Sequence, residues 1–148
     1  MNLEKLKEQI KRHEGEVLEI YKDSLGYLTF GVGHLVREDD PEFGQPEGTP
    51  VSQERVDEVY EYDFDKHLVE TEHVVGKDVF DNLPAEIQEV LVNMCFNLGG
   101  TRLGKFKNML NAVEDHDWET MAVEMEDSRW FKQVGRRSIE LQEIVRNV

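Results

Sequence analysis

The chain has 148 residues, 39% apolar and 33% charged, which suits one globular domain with a true core and excludes a disordered or low-complexity segment. Seventeen basic residues against 32 acidic ones leave a net charge of −15, which argues against nucleic acid, whose phosphates need clustered cations. A single cysteine, Cys95, excludes an internal disulfide, and no apolar run approaches the ~18 residues that a membrane span needs.

Residues 3–13 have helical spacing, with Leu3, Leu6, Ile10 and His13 on one stripe. The first twelve residues, MNLEKLKEQIKR, are too charged for a secretory signal. Glu14 follows Ile10 by four and continues the inward stripe, and Gly15 is a natural stop. Val17 to Tyr21 has strand character, Asp23-Ser24-Leu25-Gly26 suits a type I turn, and Tyr27 to Phe30 returns as a second strand before Gly31-Val32-Gly33 bends the chain. Residues 37–50 are acidic and hold three of the four prolines, as a surface loop does. Ser52 is the expected N-cap of a helix of about twenty residues, the longest in the chain. Its stripe runs Val56, Val59, Tyr60, Asp63, Phe64, His67, Leu68. Further helices are expected over Pro84 to Leu98, Lys105 to Val113, Trp118 to Asp127 and Gly135 to Val148. The class is α+β, mostly helical, with a small early hairpin sheet.

Charge is unevenly spread. Arg37 to Asp65 holds eleven acids and two arginines, whereas Thr101 to Asn111 and Ser128 to Ile139 hold seven cations and no acid. Those two segments suit a locally cationic groove for an anionic polymer. Cys95 lies in the apolar run VLVNMCFNL and is expected as a small buried hydrophobe. The five histidines are scattered without ligand spacing, so no metal and no cofactor are expected.

Two acids from different elements facing one cleft are what glycoside hydrolysis requires. Glu14, at a helix C-terminus and on an inward face, suits the proton donor, because both settings favour the neutral acid. Asp23, at a turn beside backbone N–H groups, suits the ionised partner, with Thr29 across the hairpin able to hold a water. Taken alone, Asp23 is equally a turn-former, Thr29 a strand residue and Glu14 one surface acid among many. Spacing by itself leaves these readings open.

The segment EGEVLEIYKDSLGYLTFGVGHL closely resembles the catalytic region of the T-even phage lysozymes, glycoside hydrolase family 24. That family's glutamate, aspartate, threonine and Gly-x-Gly-His fall on Glu14, Asp23, Thr29, Gly31, Gly33 and His34 without a gap. VLVNMCFNLGG, KFKNML and SRWFKQVGRRSIEL extend the resemblance in the right order over most of the chain. It implies a single lysozyme domain over 1–148, with a small lobe at 1–51, a connecting helix at 52–75, a helical lobe at 76–148 and a cleft between lobes. It also implies hydrolysis of the β-1,4 bond between N-acetylmuramic acid and N-acetylglucosamine in peptidoglycan, with inversion. Glu14 would be the acid, and Asp23 with Thr29 would orient the water. Leu35 and Phe96 match substrate-contacting positions. His34 matches a residue paired with the aspartate at Asp63, and Arg136 an arginine that reaches the catalytic glutamate.

The expected partner is peptidoglycan as substrate, with a holin for release; no nucleic acid and no stable membrane association are expected, and the chain is expected to be a monomer. Without an export signal, the enzyme made in the host cytoplasm would reach the wall through a membrane opened by a holin, or from outside on a virion tail. The chain departs from its basic relatives in its acidity, in a shorter loop after His34 and in a shorter C-terminus. A non-catalytic wall-binding or tail module needs none of Glu14, Asp23 and Thr29, and a lytic transglycosylase needs one acid only.

Overall fold

The computed structural model describes all 148 residues as nine helices and one three-stranded antiparallel sheet. This is the α+β, mainly helical architecture expected. The chain divides into two compact units, Lys7–Lys66 and Met1–Leu6 with His67–Val148.

In the first unit, α1 (Leu3–Glu14) ends where Gly15 takes a positive φ of 79° and donates its N–H to the Lys11 carbonyl. β1 (Val17–Lys22) and β2 (Leu28–Gly31) pair with Tyr21 opposite Thr29 and Lys22 opposite Leu28, and an irregularity lies between Val17 and Tyr21. The two-residue β3 (His34–Leu35) completes the sheet against β2. Nothing in the sequence announced this strand, which is shorter than one period of alternation. The outer edge of β1 is covered by the end of the acidic loop, through Ile20 N–H to Thr49 O at 2.9 Å and Val51 N–H to Leu18 O at 2.9 Å. Unpaired strand groups are thereby satisfied.

α2 (Gln53–Val75) is the longest helix, 23 residues, and Ser52 caps it through Oγ accepting from Arg55 N–H at 3.1 Å. Its first half buries Val56 and Val59 against Ile20, Phe30 and Val51. Gly31 makes this approach possible: a Cβ there would stand 3.2 Å from Val56 Cγ1. Full burial of a side chain such as Phe30 stabilises this unit by about 1.5–3 kcal/mol.

In the second unit, α4 (Ala85–Leu98) buries Ile87, Val90, Leu91, Met94 and Leu98, and it packs on α9 (Arg136–Arg146). α6 (Lys107–Glu114) and α7 (Trp118–Glu126) pack together, and α7 also packs on α9. Asp117 caps α7, accepting from Thr120 N–H at 3.1 Å. Three short helices, α3 (Lys77–Asp81), α5 (Gly100–Leu103) and α8 (Arg129–Val134), fall where no helix was expected. Four to six residues are too few for a hydrophobic period to show. No helix is long and apolar enough to cross a membrane.

Candidate active site

Glu14 is the last residue of α1, half-buried, and its carboxylate rests on the backbone of Gly33, where a Cβ would lie 2.8 Å from Oε1. Gly33 has φ +68°, so the missing side chain and the left-handed backbone both favour glycine here.

Asp23 lies in the connection between β1 and β2. Its N–H donates to Tyr27 O at 2.9 Å and its carbonyl accepts from Gly26 N–H at 2.9 Å. With Gly26 at φ 86°, this is a type I turn closed by a glycine bulge. The side chain faces the same loop: Oδ1 accepts from the N–H groups of Leu25 and Tyr27, each at 2.9 Å. One carboxylate oxygen is pinned, and Oδ2 has no protein donor.

Thr29, on β2, is 2% exposed, and its hydroxyl donates to Tyr27 O at 3.0 Å. With its proton committed, Oγ1 keeps lone pairs for an incoming donor. The Tyr27 backbone thus ties Asp23 and Thr29 together. Tyr21, paired across the sheet with Thr29, is the residue sequence reasoning missed. Its phenol pKa is raised, first by burial and then by the charges of Glu14 and Asp23, so one ring lies in the field of both carboxylates. The available signal was its place two residues before Asp23, at the end of the strand that leads into the turn.

Behind these residues, His34 is held between two carboxylates, with Nδ1 2.7 Å from Asp63 Oδ2 and Nε2 2.8 Å from Asp40 Oδ2. Burial pulls its pKa down, but hydrogen bonds to and the charges of Asp63 and Asp40 prevail and raise it. Asp40 falls in the segment read as a solvated loop, yet it also accepts from Arg37 N–H at 2.8 Å. Burial there pushes its pKa up, while the Arg37 amide, His34 and Arg55 bring it below the ordinary value. Arg55 forks onto Glu42 at 3.0 and 3.1 Å, so the acidic loop is clamped to α2. Leu35 is 49% exposed on β3.

Two expected residues lie in the other unit. Phe96 is half-buried, with its ring edge-on to His67 at 5.0 Å. Arg136 is exposed at the first position of α9, and the inward arginine is its neighbour Arg137, whose Nε donates to Asn93 Oδ1 at 2.9 Å. The two acid-free segments meet at a pocket of roughly 290 Å³ lined by Arg102, Lys105, Lys107 and Arg129, with Glu124 and Asp127 also present. The pocket is therefore of mixed charge rather than purely cationic. Cys95 is buried, and burial pushes its thiol up to about 12.

The family model described as Phage lysozyme matches residues 11–146. Two relatives from Dictyostelium discoideum, Probable T4-type lysozyme 2 and Probable T4-type lysozyme 1, are 29% and 31% identical, each over 90% of this chain and 88% of their own length. The Pre-baseplate central spike protein Gp5 of Enterobacteria phage T4 is 29% identical over 88% of this chain and 26% of its own.

Proposed function

This chain belongs to the phage lysozyme family and is a lysozyme-type peptidoglycan hydrolase, and from that premise we propose that it cuts the β-1,4 bond between N-acetylmuramic acid and N-acetylglucosamine with inversion. Protonated Glu14 donates to the glycosidic oxygen as the bond to the anomeric carbon breaks. Water resting on Thr29 Oγ1 gives a proton to Asp23 Oδ2 and attacks the opposite face of the sugar. Inversion asks for carboxyl groups about 6.5–9.5 Å apart, with room for that water. The observation that supports this reading is the Tyr27 backbone, which pins Asp23 Oδ1 and takes the Thr29 proton. It turns one free carboxylate oxygen and one hydroxyl acceptor into a water-binding pair. Tyr21 feels the charge of both acids, and exposed Leu35 offers an apolar surface to a sugar ring.

A reducing-end assay on purified peptidoglycan, with NMR of the first-formed anomer, tests the reading. The wild type releases reducing muramic ends in the inverted configuration, and Glu14→Gln and Asp23→Asn each lower turnover by about 10²–10⁴-fold. Anhydro-muramic ends, a retained anomer or unimpaired variants refute it. We further propose a monomer, without stable membrane association, that reaches the wall once a holin opens the membrane. The likeness to a central spike protein favours, as a second reading, the same chemistry delivered on a virion.

A further inference from the structure

His67 and Glu70 stand three apart on α2 and share one face of the helix, and Cys95 approaches from α4. His67 Nδ1 is 3.1 Å from Glu70 Oε1, Cys95 Sγ is 3.3 Å from the same oxygen, and the three donor atoms lie within 4.8 Å of one another. A tetrahedral zinc ion, with bonds of about 2.0–2.3 Å, sets its ligand atoms about 3.3–3.6 Å apart. The two pairs that include Glu70 stand near that spacing, and the third, His67 to Cys95, has only to close from within 4.8 Å. We propose that His67, Glu70 and Cys95 form a binding site for one borderline-soft divalent cation, of which Zn²⁺ is the type.

The surroundings supply what such a site needs beyond its ligands. Gly100 N–H donates to Glu70 at 2.7 Å and orients the carboxylate. The residue must be glycine for this, since a Cβ at 100 would stand 2.5 Å from Glu70 Cγ. The Thr71 hydroxyl donates to the His67 carbonyl at 2.6 Å and steadies the turn that carries both helix ligands. Glu70 and His67 keep 33% and 19% of their side-chain surface in solvent, so an ion has an entry path and a water can take the fourth position. On binding, Cys95 releases its S–H proton to solvent and His67 carries its proton on Nε2. Sγ, Nδ1 and a Glu70 oxygen each donate a lone pair, and no redox change is involved. Imidazole, thiolate and carboxylate together favour zinc or cobalt over calcium or magnesium, which want oxygen alone. The sequence hid the set because its members come from two helices, 28 positions apart from His67 to Cys95.

Titration of the full chain with Co²⁺ under reducing conditions tests the site. One equivalent is expected to bind with intense visible bands of a four-coordinate ion and a near-ultraviolet thiolate-to-cobalt band that Zn²⁺ bleaches and Ca²⁺ leaves. Zn²⁺ at a hundred times its Kd is expected to raise Tm by roughly 5–10 °C. Cys95→Ser removes the thiolate band. His67→Gln, at a half-buried position that tolerates the change, weakens Co²⁺ binding at least tenfold. If cobalt keeps the spectrum of its hexaaqua ion, or if His67→Gln binds as tightly as the wild type, the triad is only a hydrogen-bonded cap for α5 and the proposal fails.

Discussion

Replacing Asp63 by asparagine keeps the shape of the His34 bridge but removes one of the two charges on the imidazole. His34, Asp63 and Asp40 are only 7%, 14% and 13% exposed, so solvent screens the bridge weakly. A hydrogen bond to a charged partner contributes about 1.5–3 kcal/mol and a neutral one about 1 kcal/mol. Asp63→Asn should therefore destabilise the protein by the difference, about 1 kcal/mol, while His34 is protonated, and by less once it is neutral. For a chain of this length that corresponds to roughly 3 °C in Tm, shrinking as His34 loses its proton. The sign follows from the raised pKa of His34. Its contribution is complete below about 6.5, the unfolded value, and is lost as pH climbs through the higher folded value. Asp40 acts in the opposite sense: its lowered pKa gives stability that is present above the ordinary carboxylate range and lost in acid. Thermal unfolding of wild type and Asp63→Asn, followed by circular dichroism from about pH 4.5 to 9, should show the gap narrowing toward alkaline pH. A gap that is constant, or that widens as pH rises, would refute the charged-bridge argument.

Gly33→Ala would place a Cβ 2.8 Å from Glu14 Oε1 at φ +68°. The backbone strain costs about 1–2 kcal/mol, and the displaced carboxylate should lower turnover by roughly 10²-fold; a variant with wild-type turnover would contradict the placement of Glu14. Cys95 should resist alkylation of the native protein at pH 8, because a thiol pushed to about 12 is only about one part in 10⁴ thiolate; rapid labelling without unfolding would overturn this. With a net charge of −15, lytic activity should hold or rise between about 0.05 and 0.5 M NaCl, as salt screens acid from an anionic wall. A steep fall over that range would show that attraction to the wall, not repulsion, governs encounter.

Features carried by local rules were legible in the sequence. Ser52 as a cap, Gly15 as a stop and Asp23 to Gly26 as a turn each depend on a few neighbouring residues, and each stands in the structure where the residue types put it. What escaped depends on the tertiary fold. Asp40 reads as one acid in a proline-rich loop, and the ring of His34, six residues earlier, together with the Arg37 amide and Arg55, gives it a reason to be inside. Arg136 and Arg137 are equivalent in composition, but neighbours on a helix differ in direction by about 100°, so the register after Gly135 decides which one turns inward. Tyr21 looks like an ordinary strand aromatic until the sheet sets it opposite Thr29.

The grip on Asp23 is made entirely by main-chain amides, while the side chains that own those amides, Leu25 and Tyr27, point outward at 78% and 60% exposure. Scaffold and rim are thus separable within a single five-residue loop. Positions 25 and 27 can therefore change side chain freely while the carboxylate held by their amides keeps its aim.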